Sequence, residues 1–140
     1  NGCFDLFHAG HAHLLREAAK LGDILVVGLN SDESVKKIKG DFRPIIPAVW
    51  RADVLAAVGV VDYIVMFDEP TPEMLVEAIR PHVLVKGRAY ELLEVAGSGA
   101  AGRVEYVGEI PGVSTSEIIK TITERAGDEC SRKSWSLATL

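Results

Sequence analysis

The first eleven residues constrain this chain more than any other stretch. An apolar beginning gives way to a turn of small residues, after which His8 and His11 frame Gly10. Leu14 and Ala18 follow at helical spacing, so both histidines are predicted to lie at a helix N-terminus. Backbone N–H groups at that end have no partner within the helix, and the helix dipole is positive there. The pattern therefore favours a phosphate-binding site, in which Gly10 lets a ligand approach the backbone closely.

The spacing of the two histidines leaves other interpretations open. His8 and His11 could form half of a metal site, but Cys3 is isolated and Asp5 is the only carboxylate nearby in sequence. His13 is expected on another face of the helix. The histidines could also be structural or merely exposed. The spacing favours phosphate over metal, and it does not exclude a structural role.

Composition and charge narrow the class of protein. The chain has 140 residues, of which 48% are hydrophobic and 25% are charged, as in one ordinary globular domain. Its longest apolar runs, such as residues 24–29, are too short to span a bilayer, and no signal peptide is evident. Cys3 and Cys130 do not make a disulfide framework, and a net charge of −5 argues against broad nucleic-acid binding. We expect a cytoplasmic protein with neither a membrane nor a nucleic-acid partner.

Segments with strand and helix patterns alternate along the chain. Predicted strands cover residues 24–29, 61–67, 82–86 and 103–109, and predicted helices cover 9–21, 32–37, 48–58, 72–80 and 114–125. The alternation predicts an α/β fold with a Rossmann-like, doubly wound parallel sheet, in which ligands bind beyond the carboxyl ends of the strands. Such a fold places a buried strand just before Asn1, so we expect the first strand to be truncated.

Some segments have weaker patterns. Residues 90–96 are predicted to form a short helix, and the glycine-rich residues 97–102 a flexible loop. Residues 127–140 are polar and mixed. They are predicted to be a tail of low order that follows a domain of residues 1–126.

Two further segments point to an anionic ligand. Five basic residues and one acid, Asp41, lie between residues 36 and 51 of a chain that is acidic as a whole. Ser114 and Glu117 have the spacing of a capping box, which marks a helix N-terminus. Both segments also have structural interpretations. Lys36 and Lys37 fit solvated surface charges, and most capping boxes only cap helices.

Two signatures carry a resemblance to a known family. Residues 1–11 resemble the His-x-Gly-His signature of the cytidylyltransferase-like nucleotidyltransferases, and residues 112–116 resemble their second signature, Gly-x-Ser-Thr-Ser/Thr. The signatures occur in the family's order, about a hundred residues apart. Further segments that look like the family are residues 26–32, 39–40, 43–44, 51–57, 61–63, 67–72 and 83–87. The chain is identified as a member of this superfamily.

The resemblance implies roles for particular residues. Catalytic contacts with the phosphates are implied for His8, His11, Lys39 and Arg51. Nucleotide-binding contacts are implied for Cys3, Phe4, Gly10, Lys86, Gly87, Gly112, Ser114, Thr115 and Ser116. Mg²⁺ is expected to arrive with the nucleoside triphosphate, held mostly by water and phosphate oxygens, with no protein metal site. Cys3 has no evident base beside it and is predicted to be a small buried residue at a strand end, not a nucleophile.

The resemblance also implies a substrate. The form Asn1-Gly-Cys-Phe-Asp5 looks most like the adenylyltransferases that make ADP-heptose from ATP and heptose 1-phosphate for the lipopolysaccharide core. A homodimer, or fusion to a sugar kinase domain, is expected on the same ground. Three alternatives stay open: a cytidylyltransferase acting on an alcohol phosphate, an enzyme like FAD synthetase, and a non-catalytic nucleotide-binding module. Arg88 and Ala89, where the heptose enzymes usually carry an aspartate before a tyrosine, motivate the last of these.

Overall fold

The computed structural model of the protein describes residues 1–88 and 95–136. Helices and strands alternate along most of this part of the chain, as predicted. In chain order the elements are α1 (Ala9–Ala19), β1 (Val26–Asn30), α2 (Asp32–Lys39), α3 (Ala48–Ala56), β2 (Tyr63–Phe67), α4 (Glu73–Ile79), β3 (Val83–Gly87), β4 (Arg103–Val107) and α5 (Thr115–Ser136).

The strands form two parallel pairs. In the first pair Val26 of β1 lies opposite Tyr63 of β2, and in the second Val83 of β3 lies opposite Arg103 of β4. Parallel strands need a crossover, which is why helices separate the paired strands along the chain. The predicted α/β fold with parallel strands is confirmed. Within the described residues, however, the strands make two two-stranded sheets and not one continuous sheet.

The N-terminal residues contact both pairs of strands. Gly2 forms an isolated parallel bridge with Leu29 of β1 and accepts a hydrogen bond of 3.1 Å from the backbone N–H of Asn30. The Asn1 side-chain oxygen accepts a hydrogen bond of 2.5 Å from Lys86 Nζ, near the end of β3. The first signature therefore starts beside the carboxyl ends of β1 and β3, which is where ligands bind in parallel sheets.

One apolar cluster fixes α1 against the first pair of strands. Its buried members are Phe4, Leu15, Val27, Leu29 and Leu55, and a second cluster under β3 contains Val76, Leu84 and Val95. Each side chain of this kind contributes about 1.5–3 kcal/mol when it is fully buried. Because Leu15 of α1 packs on the same cluster as β1, the histidines at the start of α1 are held at a defined place above the strand ends.

Several helices and loops have bounds or conformations that differ from those predicted. α2 continues to Lys39, two residues beyond the predicted end, and Ser31 caps it by accepting a hydrogen bond of 3.2 Å from the N–H of Ser34. Residues 97–102 include a 3-10 turn at Ser98–Ala100, so they are more regular than predicted. The predicted helix 90–96 lies largely outside the described residues.

The last helix differs most from its predicted range. α5 runs to Ser136, so the prediction that it ends near residue 125 is wrong. The only helix-disfavouring residue at this point is Gly127, which costs about 1 kcal/mol in a helix, and no proline follows. The division into a domain of residues 1–126 and a tail of residues 127–140 stays a prediction. None of the helices in residues 1–88 and 95–136 combines the length and apolar composition needed to cross a bilayer.

Candidate active site

The two histidines of the first signature stack on each other at the start of α1. His8 is the extended residue just before the helix, and its backbone N–H donates to Nδ1 of His11 at 3.4 Å. The two ring centroids lie 3.7 Å apart with an angle of 20° between the planes. The predicted position at a helix N-terminus is confirmed. The stack places two imidazoles beside backbone N–H groups that the helix leaves unpaired.

Aromatic rings enclose His11. The ring centroids of Phe4 and Phe7 lie 5.1 and 5.6 Å from that of His11. This burial, with a smaller contribution from His8, lowers the pKa of His11 to about 4, and burial also lowers the pKa of His8. Both rings are therefore neutral near pH 7. Since Nδ1 of His11 accepts a hydrogen bond, its proton is on Nε2, which can donate to a ligand.

His8 has unused hydrogen-bonding capacity. Its Nδ1 is buried and has no hydrogen-bond partner among the described residues. Buried polar atoms in folded proteins nearly always have a partner, and exceptions occur at functional sites. The histidine pair therefore keeps one buried ring nitrogen that no described residue satisfies.

Acid should destabilise the protein in a range set by the histidines. The pKa of His11 is about 4 in the folded protein, against 6.5 for the free side chain. Between these values an unfolded chain binds a proton that the folded chain does not, so the free energy of unfolding should rise with pH from about 4 to about 6.5. The gain is at most about 3 kcal/mol. Urea unfolding across this range should show a smaller pH dependence in His11→Asn than in the parent. A slope in His11→Asn equal to that of the parent would contradict the assignment.

Gly10 brings the first signature close to the second. A Cβ atom at this position would lie 3.0 Å from Nδ1 of His8 and 3.5 Å from the carbonyl oxygen of Val113. Any side chain would therefore press on the His8 ring. The glycine in His-x-Gly-His therefore makes room for the His8 ring, and it lies at van der Waals distance from Val113 of the second signature.

The second signature forms the N-terminus of α5. Gly112 turns the chain with a positive φ of 74°, and the Ser114 side chain accepts a hydrogen bond of 3.2 Å from the N–H of Glu117. The Thr115 hydroxyl donates to the backbone oxygen of Asp5 at 2.8 Å, and Ser116 is exposed. The segment that leads into α1 and the N-terminus of α5 are thus joined directly, although about a hundred residues separate them in the sequence. Two helix N-termini at one place favour a ligand with several negative charges.

Arg51 lies in the interior of the protein and not on the surface at the carboxyl ends of the strands. It is 2% exposed, and its guanidinium donates to the backbone oxygens of Cys3, Asn30 and Ile46 and to the carboxylate of Asp32. These contacts use four of the five N–H groups that an arginine has. The resemblance implied that Arg51 holds a reacting phosphate. Its placement instead favours a residue that ties the first signature to the end of β1 and to α2.

Basic side chains surround Cys3. Burial raises the pKa of the Cys3 thiol, while the charges of Lys39, Arg51 and Arg43 act to lower it. Lys39 is exposed at the end of α2, so it is free to meet a ligand in solution. The predicted basic segment therefore contributes positive charge beside the first signature.

Cys3 is expected to be dispensable for catalysis. Its raised pKa keeps the thiol protonated, and a protonated thiol is a poor nucleophile. Its contact with Arg51 is made by the backbone oxygen, which a serine retains. Cys3→Ser should keep most of the pyrophosphate release of the parent. Complete inactivation of a variant that folds normally would contradict this expectation.

The remaining predicted residues have varied placements. Lys86 is half-buried, burial lowers its pKa, and it contacts Asn1. A Cβ atom at Gly87 would lie 3.2 Å from a carboxylate oxygen of Glu109. Phe4 is 5% exposed and packs in the core, so only its backbone could face a nucleotide. Sequence reasoning assigned no role to Asp5, whose position in the structure is central.

No protein-borne metal site is found in the described residues. No three of their histidine, cysteine, aspartate or glutamate side chains lie close enough to hold an ion together. Asp5, the carboxylate nearest to the histidines in sequence, is 1% exposed and occupied by hydrogen bonds. Asp5 therefore has no free oxygen directed at the histidines.

The site brings two helix N-termini, a neutral histidine pair and basic side chains together at the carboxyl ends of parallel strands. This arrangement suits a ligand with several phosphate groups. The model of the cytidylyltransferase-like family matches residues 1–121. The chain belongs to the cytidylyltransferase-like family, as the two signatures implied.

Similar proteins agree with this assignment. The bifunctional protein HldE of Campylobacter curvus is 52% identical over 124 residues, which are 89% of this chain and 26% of that protein. HldE of Geobacter sulfurreducens is 49% identical over 133 residues, covering 92% of this chain and 27% of that protein. The chain therefore spans about a quarter of the length of these relatives.

A solved structure shares the fold. It is the lipopolysaccharide core biosynthesis protein from Thermoplasma volcanium, with a TM-score of 0.64 and 27% sequence identity. The match covers 78% of this chain and 93% of that protein.

Proposed function

We propose that this domain transfers a nucleoside monophosphate from ATP to heptose 1-phosphate, giving ADP-heptose and pyrophosphate. The observation that carries the proposal is the direct joining of the two signatures. The Thr115 hydroxyl bonds the backbone of Asp5, and Gly10 lies against Val113. A single polyphosphate can then meet the N-termini of α1 and α5 at once.

The reaction needs positioning more than proton transfer. An oxygen of the acceptor phosphate forms a bond to the α-phosphorus of the triphosphate, and the bond from that phosphorus to the bridging oxygen of the β-phosphate breaks. The acceptor is already an anion near neutral pH, so no general base is needed. The difficulty is the repulsion between two anions, and catalysis consists of holding both and stabilising charge on the oxygens in line.

The residues of the site have proposed tasks in this scheme. His8 and His11 donate to phosphate oxygens near the bond that breaks, as neutral imidazoles. Lys39 and Lys86 supply positive charge for the reacting phosphate or the leaving pyrophosphate. Ser114 and the N–H groups at the start of α5 hold the outer phosphates. Because the Thr115 hydroxyl donates to Asp5, Thr115 contributes its backbone N–H instead.

We propose that Mg²⁺ reaches the site bound to the triphosphate. The neutral histidines and occupied Asp5 leave phosphate oxygens and water as its natural ligands, and Mg²⁺ commonly binds in this way. It would neutralise part of the phosphate charge when bound.

The choice of substrate is supported by likeness. The signature beginning Asn1-Gly-Cys-Phe-Asp5 looks like that of the heptose enzymes, and the structural neighbour is named as a protein of lipopolysaccharide core biosynthesis. The HldE relatives are named as bifunctional and are about four times as long as the matched region. We infer that this domain acts in the cytoplasm, where ATP is available, linked to a sugar kinase domain or as a homodimer.

Pyrophosphate release measured across a matrix of substrates tests the proposal. ATP, CTP and GTP would each be paired with heptose 1-phosphate, glycerol 3-phosphate, phosphoethanolamine and FMN. We expect the highest kcat/KM for ATP with heptose 1-phosphate. A preference for CTP with an alcohol phosphate would overturn the substrate, and activity with FMN would indicate an FAD synthetase. ATP binding without pyrophosphate release from any pair would indicate a non-catalytic nucleotide-binding module.

A further inference from the structure

Asp5 connects three segments of the site. Its carboxylate accepts hydrogen bonds from Arg43 Nε at 2.7 Å and from the backbone N–H groups of Ile45 and Ile46 at 2.8 and 2.9 Å. Its backbone oxygen accepts from the Thr115 hydroxyl at 2.8 Å. The first signature, the loop of residues 43–46 and the second signature therefore meet at one residue.

The backbone around Asp5 shows that this arrangement is strongly held. Phe4 and Leu6, on either side of it, both have left-handed conformations, with φ of 49° and 46°. Such conformations cost of order 1 kcal/mol or more each and persist only where the surroundings impose them. Burial alone would raise the pKa of the Asp5 carboxyl, but the N–H groups of Ile45 and Ile46 and the Arg43 guanidinium hold that pKa below its usual value. Asp5 is thus ionised at neutral pH.

Arg43 retains donors after it has paired with Asp5. The pair uses Nε, and the two terminal nitrogens have no partner among the described residues. They are not among the buried unpaired atoms of this part of the chain, so they reach solvent. The charge of Arg43 also acts on the Cys3 thiol, together with that of Lys39. The pair with Asp5 thus holds the guanidinium beside the first signature, and the Arg43 side chain is 15% exposed.

We propose that Asp5 is a positioning residue that acts through Arg43. It holds Nε and the 43–46 loop so that the terminal nitrogens of Arg43 bind a phosphate group in the crevice. The planar fork of an arginine matches two phosphate oxygens. Because Asp5 already holds Nε, the side chain loses less conformational freedom when it binds phosphate. The inference rests on the proposed function in taking phosphate as the ligand.

Calorimetric titration with inorganic phosphates tests the proposal without requiring turnover. Inorganic pyrophosphate represents the nucleotide's polyphosphate. Inorganic phosphate, added after pyrophosphate has saturated the protein, represents the acceptor. The variants are Arg43→Ala, Asp5→Asn and the double variant. Lys36→Ala and Glu33→Gln are matched controls. Each breaks the exposed ion pair between Lys36 and Glu33 on the neighbouring helix α2, in which the nitrogen and oxygen lie 3.1 Å apart.

We expect Arg43→Ala to weaken one of the two affinities by about ten- to a hundredfold, the scale for a hydrogen bond to a charged group. Which affinity falls identifies the phosphate that Arg43 binds. Asp5→Asn should weaken the same affinity by about three- to tenfold and should have no further effect in the Arg43→Ala background. The control variants should bind as the parent does.

Other outcomes distinguish a failure of the proposed function from a failure of the roles of Arg43 and Asp5. A parent that binds neither probe would overturn the proposed function. A parent that binds both probes while Arg43→Ala changes neither affinity would overturn the role of Arg43 alone. Additive effects of Asp5→Asn and Arg43→Ala would show that Asp5 does not act through Arg43. If Asp5→Asn does not fold, Arg43→Ala still tests whether Arg43 contacts phosphate, and Arg43→Lys tests whether Asp5 positions it. A lysine has a single nitrogen that cannot both pair with Asp5 and bind phosphate as a fork. An affinity in Arg43→Lys equal to that of the parent would therefore contradict the positioning role of Asp5.

Discussion

Replacing either histidine of the first signature by alanine should lower pyrophosphate release by about a hundredfold or more. That is the scale for removing one donor that stabilises charge in a transition state. His8 and His11 form one stack, with ring centroids 3.7 Å apart, so the loss of either ring also frees the other. We therefore expect the double variant to lose little more activity than the worse single variant, as residues that act as a unit do.

The control for this experiment lies on the same helix. His13 is two residues beyond His11, and helical geometry points it to another face of α1. His13→Ala should keep its turnover within a factor of about two of the parent. If His8→Ala and His11→Ala also stayed within that factor, the catalytic assignment of the pair would be wrong. Circular dichroism of each variant separates a loss of chemistry from a loss of fold.

Arg51→Met should chiefly destabilise the fold. The substitution removes the donors that satisfy the backbone oxygens of Cys3, Asn30 and Ile46, and it leaves Asp32 without its ion pair of 2.7 Å. Buried acceptors left without partners cost about 1–3 kcal/mol each, and breaking a buried ion pair costs about 3–5 kcal/mol. Because Asp32 is partly exposed, we expect a total loss of about 3–5 kcal/mol and a fall in Tm of about 10 °C or more.

Two further variants show whether geometry or charge matters at Arg51. Arg51→Lys keeps the charge, but one nitrogen cannot reach four acceptors, so it should recover little of the stability. Arg16→Met removes an exposed arginine of α1 and should change the free energy of unfolding by less than about 0.5 kcal/mol. Thermal unfolding of the three variants measures these effects. An Arg51→Met protein that melts like the parent but has lost its turnover would restore the catalytic role that the resemblance implied.

The sequence alone determined the class of fold and the positions of the two signatures. Helical and strand periodicities are local patterns, and they predicted the alternating elements and the parallel strands. The same holds for the histidines at the start of α1 and for the cap that Ser114 provides to α5, since helix N-termini are marked by residues close in sequence. The end of α5 was missed because a single glycine in a polar stretch stops a helix only when its surroundings favour stopping.

Only the tertiary structure decided what the charged residues of the site do. In the sequence Arg51 and Arg43 are two members of one basic segment, and no local pattern shows which of them is enclosed in the interior. In the fold, Arg51 is enclosed by carbonyl oxygens from three separate segments, whereas Arg43 pairs with Asp5 and keeps its outer nitrogens free. Such roles depend on burial and on partners tens of residues away, which become neighbours only when the strands and helices pack together. The joining of the two signatures through Asp5 and Thr115, a hundred and ten residues apart, has the same physical origin.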